Sequence, residues 1–240
     1  MKFYELKLTR NRAEMDTWPD GKFLLGLVNT QSFVRARNDT MFASSLLEAD
    51  ALVPESESVL KACKKLELPN PPEECIPALD LFRLEMKRLD GRGGTCFFLG
   101  ASEELLGILR EKVAKDYPNI RVEGFCPDFK PYYTRSEDKL ILDAVNAVAP
   151  DLMWVHFGTP KQEKWLYYNW EKLDVRGHVC PLGNTVEAYA GTLDRIPEKW
   201  KKLKLGWAWR LGRNLSRFFN DVVLCWPTFW LAEMAEKKRQ

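Results

Sequence analysis

The sequence predicts an α/β fold: a doubly wound, mostly parallel sheet with helices on both faces. Two observations carry that expectation. Short runs rich in β-branched and aromatic residues alternate with longer segments of helical spacing through the middle of the chain, the order in which a parallel sheet is built. The clearest of these runs, T-C-F-F-L-G at 95–100, is apolar without alternation, as a strand buried on both faces must be. A chain of 240 residues with 45% apolar and 29% charged content is long enough for one large domain and a small appendage.

The elements follow in order. L-L-G-L-V from residue 24 reads as a buried strand, with Asn29 placed where the chain must turn. Residues 32–49 read as one helix. Ala51, Leu52 and Val53 form a short strand candidate, stopped by Pro54 and followed by the polar tip E-S-E-S at 55–58, and a further helix starts near Val59. Residues 67–77 hold four prolines and read as a loop near the site. Helical spacing returns over 79–89, and the glycines at 91–94 turn the chain into the strand at 95–100.

After Gly100, Ser102 is a candidate N-cap with Glu103 and Glu104 in the first helical turn, and Leu105, Leu106, Leu109 and Val113 recur at helical spacing. Residues 120–122 read as the next strand, 136–148 as a helix and 152–157 as a strand. In such a sheet ligands bind beyond the carboxyl ends of the strands. Three loops therefore become candidate sites: Gly100, Ala101 and Ser102; residues 125–129 with Asp128; and residues 158–163, G-T-P-K-Q-E. The first has no G-x-G-x-x-G spacing, which argues against a dinucleotide, although a helix N-terminus there could face a phosphate.

Composition narrows the function. The six cysteines form no C-x-x-C pair and only two histidines are present, a pattern that argues against structural zinc and for reduced, partly buried thiols. His156 and His178 read as packed or surface residues. No run of about 18 apolar residues occurs, and the first ten residues lack the apolar stretch of a secretory signal. A cytoplasmic protein is expected, touching membrane only from its surface.

The charge is uneven. Residues 195–240 carry 11 Lys/Arg against 4 Asp/Glu, a balance of +7, and the preceding 194 residues sit at −5. Five of the nine tryptophans, Trp200, Trp207, Trp209, Trp226 and Trp230, fall in the same final stretch. Basic charge with interfacial aromatics suits an anionic bilayer. Arg210, Arg213 and Arg217 lie about one and two helical turns apart, so one helix face could offer several guanidinium groups to a diphosphate. The acidic remainder shows no RNA-binding aromatic motif, and no nucleic acid is expected as partner.

Residues 155–165, V-H-F-G-T-P-K-Q-E-K-W, resemble the G-[SA]-P-[KR]-Q-E signature of the WecG/TagA/CpsF glycosyltransferases. Further segments are similar to that family in the same order: L-V-N-T-Q-S-F-V around Asn29; D-A-L-V-P-E-S-E-S-V where the family usually has D-G-x-G; F-F-L-G-A-S at its V-F-L-L-G-G strand end. G-N-T-V-E-A-Y-A-G at 183–191 follows its G-G-x-x-D-x-x-x-G loop, with Arg195, Ile196 and Pro197 in place of R-A-P. Finally, L-K-L-G-W-A-W-R-L matches a segment of its tail.

The resemblance implies a Rossmann-like domain over 1–194 and a helical, membrane-contacting appendage over 195–240. It implies an inverting transferase that moves a sugar, often N-acetylmannosamine or a relative, from UDP to a polyprenyl-diphosphate-linked acceptor, with no metal held by a D-x-D motif and no cofactor. Such an enzyme would work at the inner face of the cell membrane in cell-surface polysaccharide synthesis. Glu55 takes the place of the family's proposed general base. Asn29, Gly100, Ala101, Asp128, Gly158, Pro160, Lys161, Gln162, Glu163, Gly183, Glu187, Arg210 and Arg217 are the candidate substrate-binding residues, and a homo-oligomer is compatible with the sequence.

The chain also departs from the family pattern. Glu55 replaces the aspartate of D-G-x-G and both glycines are gone, which lengthens the carboxylate's reach and restricts close backbone approach. Leu27 stands where the family has threonine, Cys75 where it has arginine, Glu187 where it has aspartate, and Asn220 where it has a basic residue. The alternative these changes raise is a non-catalytic paralogue that partners a glycan-assembly enzyme at the membrane.

Overall fold

A computed structural model describes residues 2–192 and 229–230. Its six strands are β1 (Phe23–Val28), β2 (Ala51–Pro54), β3 (Gly94–Leu99), β4 (Ile120–Phe125), β5 (Leu152–Val155) and β6 (His178–Pro181). They form one sheet in the order β2-β1-β6-β5-β3-β4, and every pairing is parallel. Leu99 pairs with Val155, and Val155 with Pro181, so the strand ends that matter for function lie side by side.

The helices divide between the faces as the pleat requires. On one face α2 (Thr30–Asn38), α3 (Thr40–Leu47), α4 (Glu57–Lys65), α7 (Arg135–Val148) and α8 (Lys161–Asn169) cover Phe97, Leu99, Met153 and Val155. On the other, α1 (Arg12–Met15), α5 (Ala78–Arg92), α6 (Glu103–Asp116) and α9 (Thr185–Ala190) cover Cys96, Phe98, Leu152 and Trp154. Successive side chains of β3 and β5 thus enter opposite cores, which is why both strands are apolar without interruption.

Three features differ from the sequence expectation. The expected helix over 32–49 is two helices, because Asp39 adopts extended backbone and caps α3 by accepting from Phe42 N at 3.1 Å. Lys164 of α8 holds the same carboxylate at 2.5 Å. Strand β6 lies at the centre of the sheet but is only four residues long, H-V-C-P, and carries no periodicity to mark it. Finally, the expected strand at 120–122 runs on to Phe125, and the one expected over 152–157 stops at Val155.

Away from the strand ends, His178 is packed as expected. Its ring joins Glu85 Oε2 at 2.7 Å through Nδ1 and the Pro19 carbonyl at 2.8 Å through Nε2. Phe229 returns to the domain, meeting Phe3 and Phe33 edge-on. No helix among the described residues is long and apolar enough to cross a membrane. Arg210, Arg213, Arg217 and Asn220, and most of the expected appendage over 195–240, lie outside the described residues.

Candidate active site

At the carboxyl ends of the strands, neighbouring connections leave for opposite faces of the sheet. β1 leads to α2 on one face and its neighbour β6 to α9 on the other; β5 leads to α8 and its neighbour β3 to α6, again on opposite faces. Where neighbouring connections part in this way, a ligand crevice results. Cavities of about 1070 and 1040 Å³ stand at these two points, and both touch Gly158, Thr159 and Asn184, so they adjoin as two lobes of one cleft.

The first lobe is built around Asn29 and Glu55, at the ends of β1 and β2. Asn29 caps α2, its Oδ1 accepting from Ser32 N at 3.1 Å, and this leaves Nδ2 to donate to Glu55 Oε2 at 3.0 Å. Glu55 N donates to Val28 O at 2.9 Å, extending the strand pairing by one residue and aligning the two side chains. Leu27 also lines this lobe. Cys75 lies close enough to Glu55 and Glu57 for their charge to add to burial in pushing its thiol up.

Gly158, Thr159, Gln162 and Glu163 of the loop 158–163 line the same lobe as Glu55. Gly158 has φ +78°, which a glycine adopts without strain. Gln162 Oε1 accepts from Gly158 N at 3.1 Å, and Nε2 donates to Thr159 Oγ1 at 3.3 Å and Glu163 Oε1 at 3.1 Å. Gln162 is 2% exposed, so its amide shapes the loop from within. Glu163 Oε2 is buried without a partner among the described residues, and burial raises that carboxyl above its ordinary range despite the bonds to Oε1. Arg35 of α2 donates to Thr159 O at 3.3 Å and brings a guanidinium to the same wall.

The second lobe lies between the ends of β3 and β5. Gly100 has φ +92°, and a Cβ there would fall 2.6 Å from Phe157 Cδ1 and 2.9 Å from His156 O. His156 Nε2 meets Glu187 Oε2 at 2.7 Å. Burial opposes a charge on this imidazole, but the Glu187 carboxylate and the carbonyls of Gly100 and His156 outweigh it and its pKa is raised. Burial likewise opposes the charge on Glu187, and His156 in turn outweighs it to lower that pKa.

Lys161 turns into the loop after β4, donating to Lys130 O and standing 3.6 Å from the Tyr133 ring centroid, with Phe157 at 5.1 Å and Phe129 at 5.8 Å. An ammonium over aromatic faces is held by their quadrupoles. Burial lowers its pKa. Phe129 and Tyr132 in the same loop are 90% and 88% exposed.

The sequence candidates therefore distribute as follows. Asn29, Glu55, Gly158, Gln162, Glu163 and Gly183 line the first lobe; Gly100, Asp128, Gly158, Lys161 and Glu187 line the second. Ala101 is buried and Pro160 stands at the N-cap position of α8 without a side-chain cap, and neither lines a lobe. Ser102 caps α6 as expected, accepting from Leu105 N at 3.2 Å.

Two residues that are not among the sequence's site candidates line the cleft. Arg35 follows Asn29 and Ser32 at a three-residue interval on one helical face, a legible signal. His156 is packed, as expected, but at the cleft wall; only the distant Glu187 gives it that meaning.

Comparison with known proteins gives relatives of one shared name. The chain is 24% identical over 198 residues to the N-acetylglucosaminyldiphosphoundecaprenol N-acetyl-beta-D-mannosaminyltransferase of Bacillus spizizenii, covering 82% of this chain and 74% of that protein. It is 23% identical over 217 residues to the protein of the same name in Bacillus subtilis, covering 90% and 81% respectively. A Staphylococcus aureus protein of that name is 26% identical over 170 residues, 71% of this chain and 64% of its own. The family model for glycosyl transferases of the WecG/TagA/CpsF family matches residues 5–240, and the chain belongs to that family.

Proposed function

We propose that this chain is an inverting glycosyltransferase that moves an N-acetylmannosamine-type sugar from a nucleotide donor, UDP-linked, to a polyprenyl-diphosphate-linked N-acetylglucosamine acceptor. The relatives' shared name supplies the sugar and the acceptor. The observation that carries the reading is Glu55: a carboxylate at a strand end, held by Asn29, in a cavity that the 158–163 loop also lines and that is large enough for two sugars.

The chemistry is one displacement. As an acceptor hydroxyl attacks the anomeric carbon, Glu55 takes its proton, the new C–O bond forms, and the bond to the nucleoside diphosphate breaks with its electron pair leaving on the phosphate oxygen. Attack opposite the leaving group inverts the anomeric configuration. Positioned proton removal contributes about 10²–10⁴-fold. Arg35 offers positive charge at the rim, and Arg210 and Arg217 are candidates to meet the diphosphates from the basic segment.

The test is transfer from UDP-N-acetylmannosamine to a lipid-linked N-acetylglucosaminyl diphosphate. Glu55→Gln should lower turnover by about 10²–10⁴-fold with donor affinity retained. Wild-type protein of intact fold that neither binds nor turns over nucleotide sugars would overturn the reading and favour a non-catalytic partner. The basic, Trp-rich residues 195–240 support attachment at the inner membrane face. Arg210→Glu with Arg217→Glu should release the protein from anionic vesicles, and unchanged binding counts against that role.

A further inference from the structure

The second lobe presents a charge problem. A nucleoside diphosphate brings at least two negative charges, yet the wall that would receive it carries Glu104 of α6, Asp128 of the β4–α7 loop and Glu187 of α9. The two lysines beside it are committed elsewhere. Lys130 is held by Glu137 at 2.5 Å and lies 3.6 Å from Asp128; Lys161 is drawn onto Tyr133 and Phe157. Among the described residues, the thiol of Cys126 and the phenol of Tyr133 complete the titratable groups on this wall besides His156.

His156 remains. Its Nε2 and Glu187 Oε2 are both shut off from solvent and lie 2.7 Å apart as an ion pair outside hydrogen-bond geometry, and neither has a hydrogen-bond partner among the described residues. The Glu187 carboxylate beside Nε2 and the nearby backbone carbonyls of Gly100 and His156 outweigh burial and favour the protonated ring. Glu187 reaches this ring with a side chain one methylene longer than the aspartate of the family pattern.

We propose that His156 is a positioning residue that holds Glu187 as a neutral ion pair, so that the second lobe accepts the diphosphate of the donor, and that donor affinity falls when His156 loses its proton. This rests on the donor reading above. Deprotonation adds one net negative charge beside the ligand without removing any contact to it. By linkage, the bound diphosphate must hold the proton on His156 as firmly as the proton favours the diphosphate.

The experiment is titration of UDP by calorimetry between pH 6 and 8.5. Wild-type affinity should fall about tenfold across the titration of His156, equivalent to one pKa unit of coupling. His156→Gln should bind about tenfold more weakly at low pH, and His156→Gln with Glu187→Gln, which removes both charges, should bind more tightly than His156→Gln, with a flat profile. A double variant no better than His156→Gln, or a single variant equal to wild type at low pH, overturns the proposal.

A second readout needs no variant. The chain has two histidines, so its imidazole NMR signals are few, and saturation with UDP should raise the His156 pKa by about one unit. A His156 titration unmoved by UDP overturns the proposal. Failure of wild type to bind UDP, GDP and dTDP would instead overturn the donor reading itself, so the two failures are distinguishable.

Discussion

Asn29 and Glu55 stand at the ends of neighbouring parallel strands, joined by a hydrogen bond of 3.0 Å from Asn29 Nδ2 to Glu55 Oε2. The same carboxamide caps α2 through its oxygen, so a helix start, fixed for structural reasons, also fixes the carboxylate. Asn29→Asp separates these roles, because aspartate caps about as well as asparagine but offers Glu55 a second carboxylate in place of a donor. Thermal stability should stay close to wild type while turnover falls by about 10²-fold, with a smaller change in donor KM. Steady-state kinetics alongside a melting curve check this, and a variant with wild-type turnover contradicts the coupling.

The buried pair at the far end of the sheet should behave in the opposite way. Glu85 and His178 are 5% and 3% exposed and meet at 2.7 Å, so Glu85→Ala leaves a buried ring nitrogen without its partner. Breaking such a pair costs about 3–5 kcal/mol. Urea unfolding should show that loss, with kcat and KM of the folded fraction unchanged, since His178 begins β6 and the cleft lies beyond its other end.

Glu163 gives a pH-dependent prediction. Burial raises its carboxyl pKa, so the native state keeps this proton to a higher pH than the unfolded chain does. A group raised in this direction contributes its stability in full below its unfolded pKa, about 4.3, and loses it as pH rises through the folded value. At neutral pH wild type therefore bears a charge-burial cost that Glu163→Gln lacks. The variant's melting temperature should exceed that of wild type at pH 7.5, and the difference should shrink toward pH 4. A deficit at pH 7.5 would mean that the carboxylate is better served than its unpartnered Oε2 indicates.

Most of this frame can be read in the sequence for definite physical reasons. β3 and β5 are legible because burial on both faces demands unbroken apolar runs, and Asn29 and Ser102 because short polar side chains at strand-to-helix turns cap helices. β6 is illegible because four residues carry no period, although it joins the two halves of the sheet. The break at Asp39 comes from its extended backbone and its cap on Phe42 N, with Lys164 of a distant helix on the same carboxylate, and the meaning of His156 depends on the distant Glu187. The sequence marks Gln162 as a candidate, yet only the fold reveals that its amide is turned inward upon its own loop.

Gly100 connects stability with the second lobe. Its φ of +92° disfavours any side chain, and a Cβ would press on Phe157 and on the carbonyl of His156. Backbone strain of this kind costs about 1–3 kcal/mol, and relief requires the segment 156–157 to move. That movement displaces the imidazole from Glu187 and Phe157 from Lys161, so both charged contacts of the wall loosen together. Gly100→Ala should therefore unfold at lower temperature and, well below that temperature, bind UDP more weakly than wild type. Calorimetric titration of folded variant decides the matter: unimpaired UDP affinity would show that the strain is absorbed on the α6 side and that the lobe does not depend on this turn.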